Sequence, residues 1–128
     1  MNARRKLSAC ERQAIYSKTD GHCAYCGKPI ALNKMQVDHV MPVKFYASYK
    51  AKGIDVNCID NMMPACKSCN HYKSSMTLEK FRSAIERFSN ALKRDDVTYR
   101  NAVRFGQVIS NKHKVVFYFE KENRGGKI

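Results

Sequence analysis

Four of the cysteines fall in two Cys-x-x-Cys pairs, Cys23/Cys26 and Cys66/Cys69, and the run Asp38-His39-Val40-Met41-Pro42 lies between them. Each pair puts two thiolates within reach of one cation, and two pairs supply the four soft ligands that close a tetrahedral zinc site. A zinc so enclosed has no open position; it would be structural and contribute ~10 kcal/mol or more of apparent folding free energy. Reactive chemistry has to come from the enclosed segment. Hydrolysis of a phosphodiester needs a base for the water, a cation to neutralise charge on the phosphate and the leaving oxygen, and a group that holds the base in line. His39, with an ordinary pKa near ~6.5, can take the proton. Asp38 and Asn70 offer hard oxygens suited to Mg²⁺ or Mn²⁺ rather than zinc. Asn61 could orient the imidazole through its amide. Cys10 and Cys58 lack a Cys-x-x-Cys partner and read as free thiols, while His22 and His71 adjoin the cysteines as substitute ligands that four thiolates make unnecessary.

These residues need elements to place them. Ser8-Ala9-Cys10-Glu11 has the form of a capping box, and nothing breaks the chain before Gly21, so a short helix should deliver it into Cys23. Gly21, Gly27 and Pro29 surround the first pair with turn formers, as a knuckle around a metal requires. Met35 to Val40 reads as a short strand ending at Pro42, which puts His39 near a strand end. Residues 44–58 interleave Lys44, Lys50 and Lys52 with Phe45, Tyr46 and Tyr49 and turn at Gly53. They read as an inserted loop or short helix, where bases could stack on the rings while lysines meet phosphates; packing of those rings under the loop accounts for them equally well.

Beyond the second pair, Leu78, Phe81, Ile85, Phe88 and Leu92 step by three and four, the stripe of an amphipathic helix that packs on a core. Asp95 to Phe105 predicts another helix. Lys114 to Glu120 is rich in β-forming residues and predicts a small terminal hairpin or edge strand, followed by a frayed tail over residues 123–128.

At 128 residues the chain fits one domain. Lysine and arginine number 24 against 11 acidic residues, a net charge of +13, whereas ~2 to 8 in magnitude serves solubility in a small domain. Spread over every segment, the excess points to a polyanion such as nucleic acid laid along a broad face. No apolar stretch approaches the ~20 residues needed to cross a bilayer. The N-terminus has no apolar signal region, so the expected setting is the cytoplasm, where paired cysteines serve as metal ligands.

Taken in order, Asp38-His39-Val40-Met41-Pro42, Ile59-Asp60-Asn61 and Cys66-Lys67-Ser68-Cys69-Asn70-His71-Tyr72-Lys73-Ser74 resemble the HNH endonucleases, the ββα-metal or His-Me-finger family, in its four-cysteine subgroup. The resemblance covers roughly Gly21 to Phe81. It implies an α+β fold: a small ββα-metal nuclease core stapled by a four-cysteine zinc site, flanked by helices and a short C-terminal strand (motif core about 21–81, then 82–122). It implies Asp38 as the acidic metal ligand, His39 as general base, Asn61 as the middle residue that positions His39, Asn70 as second metal ligand and Lys73 as a phosphate contact. Lys67, Lys44 and Lys50 complete the expected nucleic-acid contacts. The chain departs from the pattern twice. The last letter is Asn70 instead of histidine, with His71 beside it, and the 22-position interval from His39 to Asn61 is long, its extra residues being the Lys and Tyr loop.

The resemblance therefore implies a DNA endonuclease that uses one Mg²⁺ or Mn²⁺ and leaves 5′-phosphate and 3′-hydroxyl ends. It would act as a monomer or weak homodimer, in the manner of small phage enzymes that work beside packaging machinery. A non-catalytic zinc-ribbon DNA-binding regulator would also account for the cysteines and the charge, but it leaves Asp38, His39, Asn61 and Asn70 as a coincidence.

Overall fold

The computed structural model describes residues 4–124. Ser8 opens α1 (Ala9–Ser17) with the expected capping box: its hydroxyl accepts from the Glu11 N–H, and the Glu11 carboxylate accepts from the Ser8 N–H. The described residues form two compact units, one running through Leu78 and resuming at Val116, the other comprising Glu79–Val115.

In the first unit β1 (Gln36–His39) pairs antiparallel with β2 (Met62–Ala65), placing Asp38 opposite Met63 and His39 opposite Met62. Pro64, which has no N–H to donate, is tolerated in β2 of this two-stranded ribbon, and its carbonyl accepts from the Ala24 N–H. Between the strands the chain makes a 3-10 turn at Val43–Phe45, then α2 (Tyr46–Ala51), then a turn at Gly53. The short-helix form of the insertion is thus the one observed. β2 leads at once into α3 (Lys67–Lys73), which packs on β1, while α1 packs on β2. Lys18 ties the end of α1 to the hairpin by donating to the carbonyls of Ile59 and Met62. Ile15, Val56, Met62 and Phe117 are buried in this unit. The result is α+β, with a β-hairpin and helix at its centre.

The second unit contains α4 (Leu78–Glu86, its first residue in the other unit), α5 (Phe88–Asp95) and α6 (Val97–Arg104). The helix expected over the stripe from Leu78 to Leu92 is therefore two. The break falls at Arg87, whose φ of −95° and ψ of −1° lie at the edge of the helical region, and whose N–H bonds the carbonyl of Ala84, three residues back. No proline or glycine marks it. Asp96 caps α6 through the Tyr99 N–H.

The expected C-terminal strand does not form among the described residues; α7 (Tyr118–Arg124) stands there instead. Glu120, in the third position of the helix, accepts from the Phe117 N–H, and the N–H groups of Tyr118 and Phe119 donate to the carbonyls of Tyr25 and Ala24. A cap and tertiary contacts thus outweigh the β-forming composition. Asn123 and Arg124, read as tail, belong to α7, and the remainder of that tail lies outside the described residues. No described helix is long and apolar enough to cross a membrane.

Candidate active site

The sulfurs of Cys23, Cys26, Cys66 and Cys69 lie within 4.8 Å of one another, and those of Cys26 and Cys66 are 3.9 Å apart. A tetrahedron with ~2.3 Å bonds has sulfur–sulfur edges of about 3.8 Å, so the spacing fits zinc. The first two sulfurs come from a knuckle closed by the Cys23 N–H donating to Lys28 O and the Gly27 N–H donating to Cys23 O. Gly27 has φ of 83°, and a Cβ there would sit 2.8 Å from the Tyr118 ring, so conformation and space both require glycine. The other two sulfurs flank the start of α3, where Cys66 is also the N-cap, its sulfur accepting from the Cys69 N–H. The Cys23 thiol is pulled down to about 4, chiefly by a hydrogen bond from Cys69, and the same contact pushes Cys69 up. One sulfur takes the charge while its neighbour keeps the proton, an arrangement that a cation would replace.

A separate cleft of about 190 Å³ is lined by Arg4, Asp38, His39, Lys44, Asn70, Ser74 and Ser75, among others. Asp38 is buried. Its Oδ2 accepts from Tyr25 Oη at 2.5 Å and pairs with Lys73 Nζ at 3.0 Å. Burial pushes the Asp38 carboxyl above its usual range, against the pull of Lys73 and Tyr25. Burial and the same carboxylate raise the Tyr25 hydroxyl, which stays a donor. With Oδ2 engaged twice, Oδ1 is the oxygen left to a ligand. Asn70 is arranged in the same way, since its Nδ2 donates to Gln36 Oε1 at 2.7 Å and its oxygen remains. Two hard oxygens in one cleft form a donor set for an oxygen-seeking divalent ion, completed by water and substrate. His71 does not line the cleft.

His39 is 6 % exposed. Its Nε2 lies 3.0 Å from Asn57 Oδ1, and its Nδ1 is buried without a hydrogen-bond partner among the described residues. Burial lowers the imidazole pKa, the bond to Asn57 raises it, and Arg4 lowers it further, with a net shift downward.

Two expected roles change. Asn61 does not touch the imidazole. Its Oδ1 accepts from the Met41 N–H at 2.8 Å, its Nδ2 donates to the carbonyls of Met41 and Val56, and its own carbonyl accepts from the Val40 N–H. It holds the chain just after His39 and so fixes that residue through the backbone. Lys73, expected to meet phosphate, is fully buried, and its ammonium donates to Asp38 and to the carbonyls of His39 and Val40. A cation so enclosed serves as the counter-ion of Asp38 and cannot reach a phosphate.

Of the remaining expected contacts, Lys44 lines the cleft and also stands 5.8 Å from the Phe45 ring centre. Lys50 lies over Tyr46 outside the cleft, and Lys67 lines a second groove with Lys28, Lys34 and Gln36. Sequence reasoning missed Tyr25, Gln36 and Asn57. Gln36 carried a weak signal, since it shares a face of β1 with Asp38 two residues on.

Ser74 has φ of 47° and ψ of −123°, a conformation a side chain disfavours by roughly 1–3 kcal/mol, and the turn is closed by the Met76 N–H donating to Lys73 O. The strain falls at residues that line the cleft.

No curated protein matches the chain significantly. Residues 23–75 match the family model described as HNH endonuclease, a span that opens on the first zinc-suited cysteine, takes in both strands and α3, and ends at Ser75 of the cleft. The hairpin-and-helix with its four cysteines, residues 23–75, accordingly matches an HNH endonuclease domain of the ββα-metal type, a kind of domain that implies a nucleic-acid substrate.

Proposed function

We propose that the protein is a DNA endonuclease that cleaves phosphodiester bonds in the cleft of Asp38, His39 and Asn70 with one Mg²⁺ or Mn²⁺, leaving 5′-phosphate and 3′-hydroxyl ends. The observation that carries this reading is the convergence of the two uncommitted carboxamide and carboxylate oxygens with an unpartnered imidazole nitrogen. Asp38 and Asn70 would hold the cation, which when bound neutralises charge on the scissile phosphate and the leaving oxygen. His39 Nδ1 accepts the proton of a water as its oxygen attacks phosphorus in line. The bond to the 3′ oxygen breaks, and that oxygen is protonated from solvent. Arg4 and Lys44 at the cleft, with Lys50 and Lys67 outside it, offer positive charge to the flanking backbone. One cleft cuts one strand at a time, so a monomer nicks and a double-strand break takes a second encounter or a second copy.

The experiment is cleavage of supercoiled plasmid with and without divalent ions. Brief EDTA should stop cleavage while zinc, held by four thiolates, is retained, and added Mg²⁺ or Mn²⁺ should restore it. Asp38→Ala should lose that rescue and keep one zinc per chain by elemental analysis. Cleavage that survives EDTA, or normal Mg²⁺-dependent cleavage by Asp38→Ala, overturns the assignment.

A further inference from the structure

The insertion between the strands returns to the hairpin through residues 55–58, and that return brings Asn57 Oδ1 to 3.0 Å from His39 Nε2. An amide oxygen only accepts, so Nε2 must carry the hydrogen. In the neutral ring the lone pair is then on Nδ1. That atom is buried and has no hydrogen-bond partner among the described residues, yet His39 lines the cleft. Had the contact served only to satisfy a buried ring, satisfying one nitrogen and stranding the other would be a poor arrangement, because a buried acceptor without a partner costs ~1–3 kcal/mol. The stranded lone pair is what a proton acceptor needs.

Asn57 is itself fixed on both sides of its main chain. Its N–H donates to Asp55 Oδ1 at 2.9 Å, and its carbonyl accepts from Arg5 Nε at 2.9 Å. Arg5 in turn pairs with Glu11, the carboxylate that caps α1. The preceding residue, Val56, is fully buried, and its carbonyl accepts from Asn61. The segment is therefore tied to α1 and to the hairpin at once.

We propose that Asn57 is a positioning residue of the cleft: its side-chain oxygen locks His39 as the Nε2–H tautomer and turns the Nδ1 lone pair toward the water to be deprotonated, with Arg5 holding Asn57 in place. The proposal rests on the hydrolytic reading above, but its first test needs no cleavage. In zinc-loaded, magnesium-free protein, ¹⁵N NMR of the histidine side chains should show His39 protonated at Nε2 and bare at Nδ1. Asn57→Ala should lose that preference and Asn57→Asp, which keeps an acceptor oxygen, should retain it. With Mg²⁺ and plasmid, Asn57→Ala should lower kcat roughly 10- to 100-fold at nearly unchanged KM, as removal of an orienting partner does. Asn57→Asp should recover most of it, and Arg5→Ala should fall between. A wild-type His39 protonated at Nδ1 overturns the proposal even if Asn57→Ala does not fold, and so does an Asn57→Ala variant with unaltered tautomer or kcat. A wild-type protein with the Nε2–H tautomer that cuts nothing would sink the hydrolytic reading and leave the lock standing.

Discussion

The cysteine cluster and the cleft are both suited to a cation, and they are built on opposite plans. The cluster contains its whole ligand set, four sulfurs within 4.8 Å, so the protein around it has only to close two turns. The cleft contains few ligands and many restraints. Tyr25 and Lys73 occupy one oxygen of Asp38, Gln36 occupies the amide nitrogen of Asn70, Asn57 occupies one nitrogen of His39, and Asn61 clamps the chain beside it. The restraints on Asp38, Asn70 and His39 each leave one atom uncommitted. The cluster is thus specified by its own sulfurs, whereas the cleft is specified by the neighbours that keep spare atoms of its side chains free.

The contrast is sharpest at Cys66→Ser. Serine can still cap α3, so what is removed is a thiolate of a closed site whose metal is worth ~10 kcal/mol or more. Thermal midpoint and zinc stoichiometry should fall together and carry cleavage with them. A stable, zinc-free and active variant would break the comparison at its structural end.

His39→Ala should do the reverse, lowering cleavage ~10² to 10⁴-fold while zinc content and DNA affinity stay close to wild type. Retention of more than a tenth of the wild-type rate would remove His39 from its role.

Lys73→Met tests whether that ammonium belongs to the fold or to the substrate. Leaving the Asp38 carboxylate buried without its counter-ion should cost roughly 3–5 kcal/mol in chemical denaturation. Unchanged stability with weakened DNA binding would return Lys73 to the phosphate.

The smallest effect is expected for Lys44→Ala. For about six phosphate contacts the slope of log K against log salt should lie near −5 without divalent ions, and loss of one contact should reduce it by about 0.9. An unaltered slope would place Lys44 off the nucleic-acid path.

Much of this was legible in the residues, and for different reasons. The capping box at Ser8 and the paired cysteines are short-range patterns whose physics is local, and the structure has α1 and the sulfur cluster where they point. The order of Asp38, His39, Asn61 and Asn70 identified the strands and helix that would converge, and three of the four line one cleft. The partners of those side chains could not be read. Asn57 is one more polar residue of a loop, and only the path of the insertion brings it to His39. Lys73 looked like its neighbours in a basic chain, because burial is a property of packing and not of residue type. At Tyr118 a glutamate cap and two carbonyls of the knuckle decided for helix against a β-rich composition. The break at Arg87 had no residue to announce it.

The span enclosed by the two cysteine pairs has one more consequence, for the order in which the molecule comes together. Joining Cys26 to Cys66 closes a loop of 39 intervening residues, at a chain-entropy cost of about 3 kcal/mol before any constant term. That loop contains Asp38, His39, Asn57 and Asn61, and Asn70 lies just past its end. Thiolate–cation bonds are the local interactions that offset the closure. A newly made chain should therefore hold the parts of its cleft at random-coil separations until metal arrives, so that the supply of zinc, more than the supply of protein, sets how many assembled clefts exist.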